Sequence, residues 1–169
     1  QRKGFIQLTG DIGAGKTTTC RAFFNALDRE RFVTALILNP VLTRAELLRT
    51  ILKELGVEDV DTDHLENYER LNRFLLRENS EGRDVVLVVD EAQDLSAELL
   101  EQVRLLSNLE TDSKKLIQIA LLGQPELRDK LNHPELRQLR QRITVRYHLG
   151  PLTRDETRRY LEHRMTVAG

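Results

Sequence analysis

The segment Gly10-Asp11-Ile12-Gly13-Ala14-Gly15-Lys16-Thr17 follows directly on Gly4-Phe5-Ile6-Gln7-Leu8-Thr9. The first stretch reads as a strand. The second fits G-x-x-x-x-G-K-[ST] at every fixed position, the pattern of a phosphate-binding loop between a strand and a helix. What such a loop must do explains the residue types. Gly10, Gly13 and Gly15 let the chain turn tightly and bring backbone N–H groups close to phosphate oxygens. A helix starting near Lys16 points its positive end at the same anion. The Lys16 ammonium has the length to meet the β- and γ-phosphates, and the Thr17 hydroxyl is an oxygen donor suited to Mg²⁺. The pattern predicts a nucleoside triphosphate site, ATP with Mg²⁺. Its contacts run over Gly10, Asp11, Gly13, Ala14, Gly15, Lys16, Thr17 and Thr18.

A second segment narrows the chemistry. Asp84-Val85-Val86-Leu87-Val88-Val89 is an apolar, β-branched run that ends in Asp90-Glu91-Ala92-Gln93. It reads as a strand buried on both faces of a parallel sheet. Ligands in open α/β sheets bind beyond the carboxyl ends of the strands, which places Asp90 beside the phosphate loop. There it is expected to hold Mg²⁺ through water, with Thr17 as the other metal residue. Glu91, the next residue, is placed to orient or deprotonate a water that attacks the γ-phosphate. A kinase, whose nucleophile is a substrate hydroxyl, has no use for that glutamate.

Strand and helix signals alternate along the chain, which argues an α/β fold with a parallel sheet and crossover helices. Strands are expected at Phe5–Thr9, Val33–Leu38, Val85–Val89, Leu116–Leu122 and Thr144–Leu149. A helix over Lys16–Leu27 carries Cys20, Phe23, Phe24 and Leu27 at helical spacing. Thr43-x-x-Glu46 and Thr153-x-x-Glu156 are capping boxes that open helices, and Gly56 closes the first of them. Asp63-x-x-Glu66 opens a helix with Leu65, Tyr68, Leu71, Phe74 and Leu75 on one face. Ser96–Leu109 and Pro134–Arg142 are read as further helices. One strand separates the loop strand from the Asp90 strand, and a glutamate follows the aspartate. Those two features point to the additional-strand group of P-loop ATPases, with five strands in the order 5-1-4-3-2. Residues 1–150 are read as the nucleotide-binding core and 151–169 as the first helix of a lid. The abrupt ends are expected of a piece of a larger protein.

Composition removes several alternatives. Lys and Arg number 26 and Asp and Glu 27, a net charge of −1, so the chain as a whole makes no electrostatic case for nucleic acid. The longest fully apolar run, Val85–Val89, is too short to cross a bilayer. The one cysteine, Cys20, excludes an internal disulfide, fits a reducing compartment, and falls where a small buried apolar residue is needed. His64, His133, His148 and His163 show no metal-ligand spacing.

The stretch from Val89 to Arg142, VDEAQDLSAELLEQVRLLSNLETDSKKLIQIALLGQPELRDKLNHPELRQLRQR, carries a family resemblance. It resembles AAA+ ATPases of the ExeA/GspA type from the general secretion pathway, and the TnsC-like regulators of DNA transposition share much of the pattern. YHLGPLTRDETRRYLEHRM extends the resemblance, which covers essentially the whole chain. The resemblance implies that Gln124, after the fourth strand, is the polar sensor 1 residue near the γ-phosphate. It implies that Arg142, with Arg140 as the neighbouring candidate, is an arginine finger reaching the nucleotide of the next subunit. Asn39 matches a polar residue that can hold the catalytic glutamate out of line, and an Asn-Pro turn reads equally well there. Two departures stand out: the adenine-holding residues before the first strand are absent, and only the first lid helix is present. Arg158, Arg159 and Arg164 on that helix are therefore not taken as sensor 2 residues. The resemblance further implies a self-oligomer and a cytoplasmic domain of an inner-membrane protein. It also implies a second inner-membrane secretion protein (GspB/ExeB-like) as partner. DNA is the partner implied by the transposition relatives. The basic segments Ser113-Lys114-Lys115 and Arg137–Arg142 are too short to establish a DNA-binding stripe.

Overall fold

The computed structural model describes residues 4–38, 40–58, 60, 63–111 and 114–168. Five strands, β1 (Phe5–Gly10), β2 (Phe32–Ile37), β3 (Asp84–Val89), β4 (Ile117–Gly123) and β5 (Ile143–Leu149), form one sheet in the order β2-β3-β4-β1-β5. Every strand pair is parallel. This is the order 5-1-4-3-2 expected from the sequence, read from the other edge, and it is the AAA+ type of P-loop fold. The connections carry α1 (Lys16–Ala26), α2 (Arg44–Glu54), α3 (His64–Ser80), α4 (Ala97–Leu106), α5 (Pro125–Leu131), α6 (Arg137–Arg142) and α7 (Arg154–Ala168). Short 3₁₀ turns occupy Ala92–Asp94 and Pro134–Leu136.

Local chemistry sets the helix ends. Thr43 Oγ1 accepts from the Glu46 N–H and Glu46 Oε2 accepts from the Thr43 N–H, a reciprocal box at the start of α2. Thr153 and Glu156 do the same at α7. Asp63 caps α3 by itself, accepting from the N–H groups of Leu65 and Glu66. Helix α4 stops at Leu106, short of the expected Leu109. Ser107 ends it, and the chain turns so that Glu110 pairs with Lys115 ahead of β4.

The two sheet faces are covered unequally. On one face, Leu87, Val89, Ile117, Ile119 and Leu121 pack with Leu47, Leu48 and Ile51 of α2, Leu71 and Leu75 of α3, and Leu100 and Val103 of α4. On the other, Cys20, Val88 and Leu122 form a small cluster with half-buried Leu8, Phe24, Leu36, Val86 and Ala120. Among the described residues only α1 supplies the helical side of that cluster, through Cys20 and Phe24. The sequence put Phe23 on the same face, but Phe23 is 53% exposed. A single helix on a sheet buries a narrow i, i+4 line, here Lys16, Cys20 and Phe24, and Phe23 lies one side of it. A similar offset corrects α3. Leu65 is 66% exposed, and the buried line is Asn67, Leu71, Phe74, Leu75 and Glu78. Two polar residues complete that line, so an apolar count misses its direction. Glu78 is tolerated there because Arg83 and Arg77 ion-pair with its two oxygens.

Parallel register brings every strand's carboxyl end to one edge. Gly10 lies opposite Leu149, and Thr9 opposite Gly123. At the other end Phe5 lies opposite Ile143, with an irregularity before Ile6 that accommodates Thr144. Helix α7 leaves this edge with its described side chains exposed. No described helix is long and apolar enough to cross a membrane.

Candidate functional site

The loop Gly10–Gly15 leaves β1 at the carboxyl edge and enters α1 at Lys16. Gly13 (φ +79°) and Gly15 (φ +89°) hold the left-handed backbone that a side chain resists. Gly15 is the N-terminal boundary of α1 and offers no side-chain cap, and the first turn holds no acidic residue. The first N–H groups of the helix therefore lack intrahelical partners and point out as an anion site. Lys16, 5% exposed, donates from Nζ to Gly10 O at 2.7 Å and Asp11 O at 3.1 Å. An ammonium has three donors, so one N–H and the charge remain for a ligand.

Thr17 Oγ1 donates to Asp90 Oδ2 at 2.5 Å. Asp90 is 2% exposed, and its other oxygen accepts the Glu91 N–H at 3.0 Å. A hydroxyl and a buried carboxylate converging in this way are hard-oxygen donors of the kind Mg²⁺ takes. Glu91 has φ +50°, the one non-glycine residue with positive φ among the described residues. A bulky side chain in that region carries about 1–3 kcal/mol of strain, and such residues cluster at functional sites. Glu91 Oε2 accepts from Gln93 Nε2 at 2.8 Å and Gln124 Nε2 at 3.3 Å. The Gln93 bond first, then the Gln124 bond and the Lys16 charge, hold the carboxyl below its ordinary range against the opposing pull of burial.

Two cavities flank the loop. One, of about 350 Å³, is lined by Lys16, Thr17, Thr18, Glu91 and Gln124 with the loop glycines. The other, of about 560 Å³, lies between Asp11–Gly15, Thr18 and Thr19 on one side and Pro151, Leu152, Thr157 and Tyr160 on the other. The first has the polar groups for phosphates and a water. The second, walled on one side by Pro151, Leu152 and Tyr160, has apolar groups against which a base can lie.

The structure thus brings Gly10, Asp11, Gly13, Ala14, Gly15, Lys16, Thr17, Thr18, Asp90, Glu91 and Gln124 to one edge. It does not bring Arg140 or Arg142 there. Both precede Ile143, whose partner is Phe5, so they lie at the opposite end of the sheet, about 20 Å away across a six-residue strand. Arg142 Nη1 donates to Ser107 Oγ at 2.6 Å, and Arg140 Nη1 to Asn132 Oδ1 at 3.3 Å. Asn39 lies outside the described residues. Cys20 sits beneath the site, where burial first and the Asp90 charge second push its thiol up to about 11. Gln93 has no assigned role in the sequence reading, and its position two residues after Glu91 was the available signal. Tyr160 and Leu152, which line the second cavity, carry no motif that marks them in the sequence.

A family model described as an AAA domain matches residues 1–131. The chain is 47% identical over 167 residues to General secretion pathway protein A of Aeromonas hydrophila, covering 98% of this chain and 30% of that protein. Among solved structures, the Aeropyrum pernix ORC2 protein in its ADP form superposes with a TM-score of 0.72 at 17% identity, over 98% of this chain and 47% of that one. Drosophila ORC bound to DNA gives a TM-score of 0.71 at 25% identity, over 94% of this chain and 40% of that one. The chain therefore spans under a third of the curated relative and under half of the solved chains.

Gly10 tests the loop's seat on the sheet. A Cβ there would stand 2.8 Å from Leu149 O and 3.1 Å from Leu149 Cβ. Neither is the far end of a flexible side chain, so β1 and β5 must part at the mouth of the loop. Gly10→Ala is expected to lower stability by about 1–3 kcal/mol in urea unfolding. A variant as stable as wild type contradicts this packing.

Proposed function

The chain belongs to the AAA domain family, and on that footing we propose that it binds ATP with Mg²⁺ and hydrolyses it to ADP and phosphate. The observation that carries the reading is the convergence at one cavity of Lys16, Thr17, Glu91 and Gln124, with Asp90 bonded to Thr17 behind it. Lys16 and the first N–H groups of α1 bind the phosphates. Thr17 would hold the metal directly and Asp90 would hold it through water, and a bound Mg²⁺ would supply positive charge to neutralise that on the phosphates. Glu91 takes a proton from the attacking water. Its Oε2 carries both amide bonds, and Oε1, with no hydrogen bond among the described residues, is the oxygen left for the water. Gln124 donates toward the γ-phosphoryl oxygens. The base lies in the second cavity, against Leu152 and Tyr160, with residues 1–150 as the core and 151–169 opening a lid.

Completing the charge stabilisation takes a second copy of the chain. The basic residues at the far end of the sheet, Arg142 with Arg140 beside it, are too distant to serve their own loop, which supports a finger acting in trans. The identity to General secretion pathway protein A supports a nucleotide-driven oligomer in secretion or envelope assembly. The domain would then be cytoplasmic, attached to an inner-membrane protein and working with a second one. A DNA-binding reading, like that of the transposition regulators, is favoured by one observation: Drosophila ORC, 25% identical, is bound to DNA in its structure.

Glu91→Gln keeps the shape but loses the base. Turnover is expected to fall about 10²-fold with ATP still bound, whereas Lys16→Ala weakens binding itself. Unchanged turnover in Glu91→Gln removes this residue from the mechanism. Specific activity is expected to rise with protein concentration, and Arg142→Ala to abolish the rise. Mixing Arg142→Ala with Lys16→Ala protein pairs an intact loop with an intact arginine at some interfaces, and partial activity returns. A mixture that stays dead rejects the trans assignment to Arg142, with Arg140→Ala run in parallel. For DNA, weak binding at physiological salt is expected from the net charge of −1. Tight binding of the ATP-loaded protein, with a log–log salt slope steeper than about −4, moves the reading to the DNA-binding alternative.

A further inference from the structure

We propose that Gln93 is a positioning residue that holds the Glu91 carboxylate and couples it to Gln124, so that the base and the amide facing the γ-phosphate move as one unit. The inference deepens the hydrolysis reading and rests on it. Its ground is a closed ring of hydrogen bonds. Gln93 Nε2 donates to Glu91 Oε2 at 2.8 Å. Gln93 Oε1 accepts the backbone N–H of Gln124 at 3.0 Å. The side-chain amide of Gln124 donates to the same Glu91 oxygen at 3.3 Å. A carboxylate only accepts and a backbone N–H only donates, so both ends of the Gln93 amide have forced identities. Among side chains of this length, only one carrying a donor and an acceptor together closes this ring.

The surroundings are shaped to keep that amide in place. Gly123 leaves the room it occupies, since a Cβ there would stand 2.7 Å from Gln93 Oε1. Lys130 of α5 donates from Nζ to Gln93 O, in the middle of the 3₁₀ turn, and to Leu95 O, just after it, at 2.8 Å. The Asp94 N–H to Glu91 O bond at 2.9 Å closes the turn on Glu91, the residue that precedes it. The turn holds Glu91 at φ +50°, a backbone state that persists only where its neighbours over-determine it. Gln93 lines neither cavity. It therefore acts through Glu91 and Gln124, and is not itself a catalytic residue.

The test uses Gln93→Met, which keeps length and loses both hydrogen bonds, and Gln93→Glu, which keeps the acceptor for the Gln124 N–H and loses the donor. Each is made in wild type and in Glu91→Gln, and is assayed by single-turnover hydrolysis and by equilibrium binding of a non-hydrolysable ATP analogue. In the wild-type background kcat is expected to fall about 10- to 100-fold, further for Gln93→Glu, with KM and analogue affinity within about threefold. In the Glu91→Gln background the same substitutions are expected to cost less than about threefold, because a residue acting through Glu91 has nothing left to position. An equal loss in both backgrounds overturns the proposal, as does an unchanged kcat in wild type or analogue affinity that falls with kcat. Wild-type protein that binds the analogue but hydrolyses no ATP sinks the parent reading, and this inference falls with it.

Discussion

Backbone hydrogen bonding between β1 and β4, with Phe5 opposite Ile119 and Thr9 opposite Gly123, is the constraint on which the site depends. It sets the start of the phosphate loop level with Gln124. The β3–β4 register, Val89 opposite Leu121, then brings Asp90 and Glu91 to the same edge. Strands lie about 4.8 Å apart, so β3 stands roughly 10 Å from β1, and β4 fills the gap. The loop and first turn of α1 cross above β4, and the Thr17–Asp90 bond closes the span. Slipping either register by one residue turns alternate side chains to the wrong face and separates these groups. Core packing of Leu87, Ile119 and Leu121 therefore also fixes where the carboxylates and the lysine meet.

The residues recognised from the sequence are those whose function is written in local order. The loop from Gly10 to Thr17 needs its glycines, lysine and hydroxyl at fixed spacing. Asp90 and Glu91 announce themselves by following a continuous apolar strand. Strand order followed from counting one strand between the two motifs. What escaped was set by partners far along the chain. Gln93 bonds across 31 residues to the Gln124 N–H, and nothing in DEAQ states that. Phe23 and Leu65 carry the apolarity of core residues and are exposed, because a narrow contact line and the polar members Asn67 and Glu78 set which helix face is buried. The arginines before β5 were legible as a basic cluster, but only the sheet's two ends show that they and the phosphate loop face opposite ways.

Unequal cover on the two sheet faces separates roles within one small domain. Helices α2, α3 and α4 give the deep side its rigidity. The other side rests on α1, the helix that starts at the phosphate loop, through a contact little wider than Cys20 and Phe24. A shift of that helix disturbs few buried contacts, while a shift of β3 or β4 disturbs many. The rigid half therefore carries the carboxylates and Gln124, and the lightly held half carries the anion-binding turn.

The Lys16 ammonium has a further consequence. Its bonds to Gly10 O and Asp11 O, with the Ala14 N–H to Asp11 O turn, tie the phosphate loop into shape using the chain's own groups. The freedom of those glycines is lost during folding, when the rest of the core forms, and little of it is left to lose when an anion arrives. The arriving phosphate meets a preorganised cradle, so its affinity reflects charge and desolvation far more than the ordering of a floppy segment.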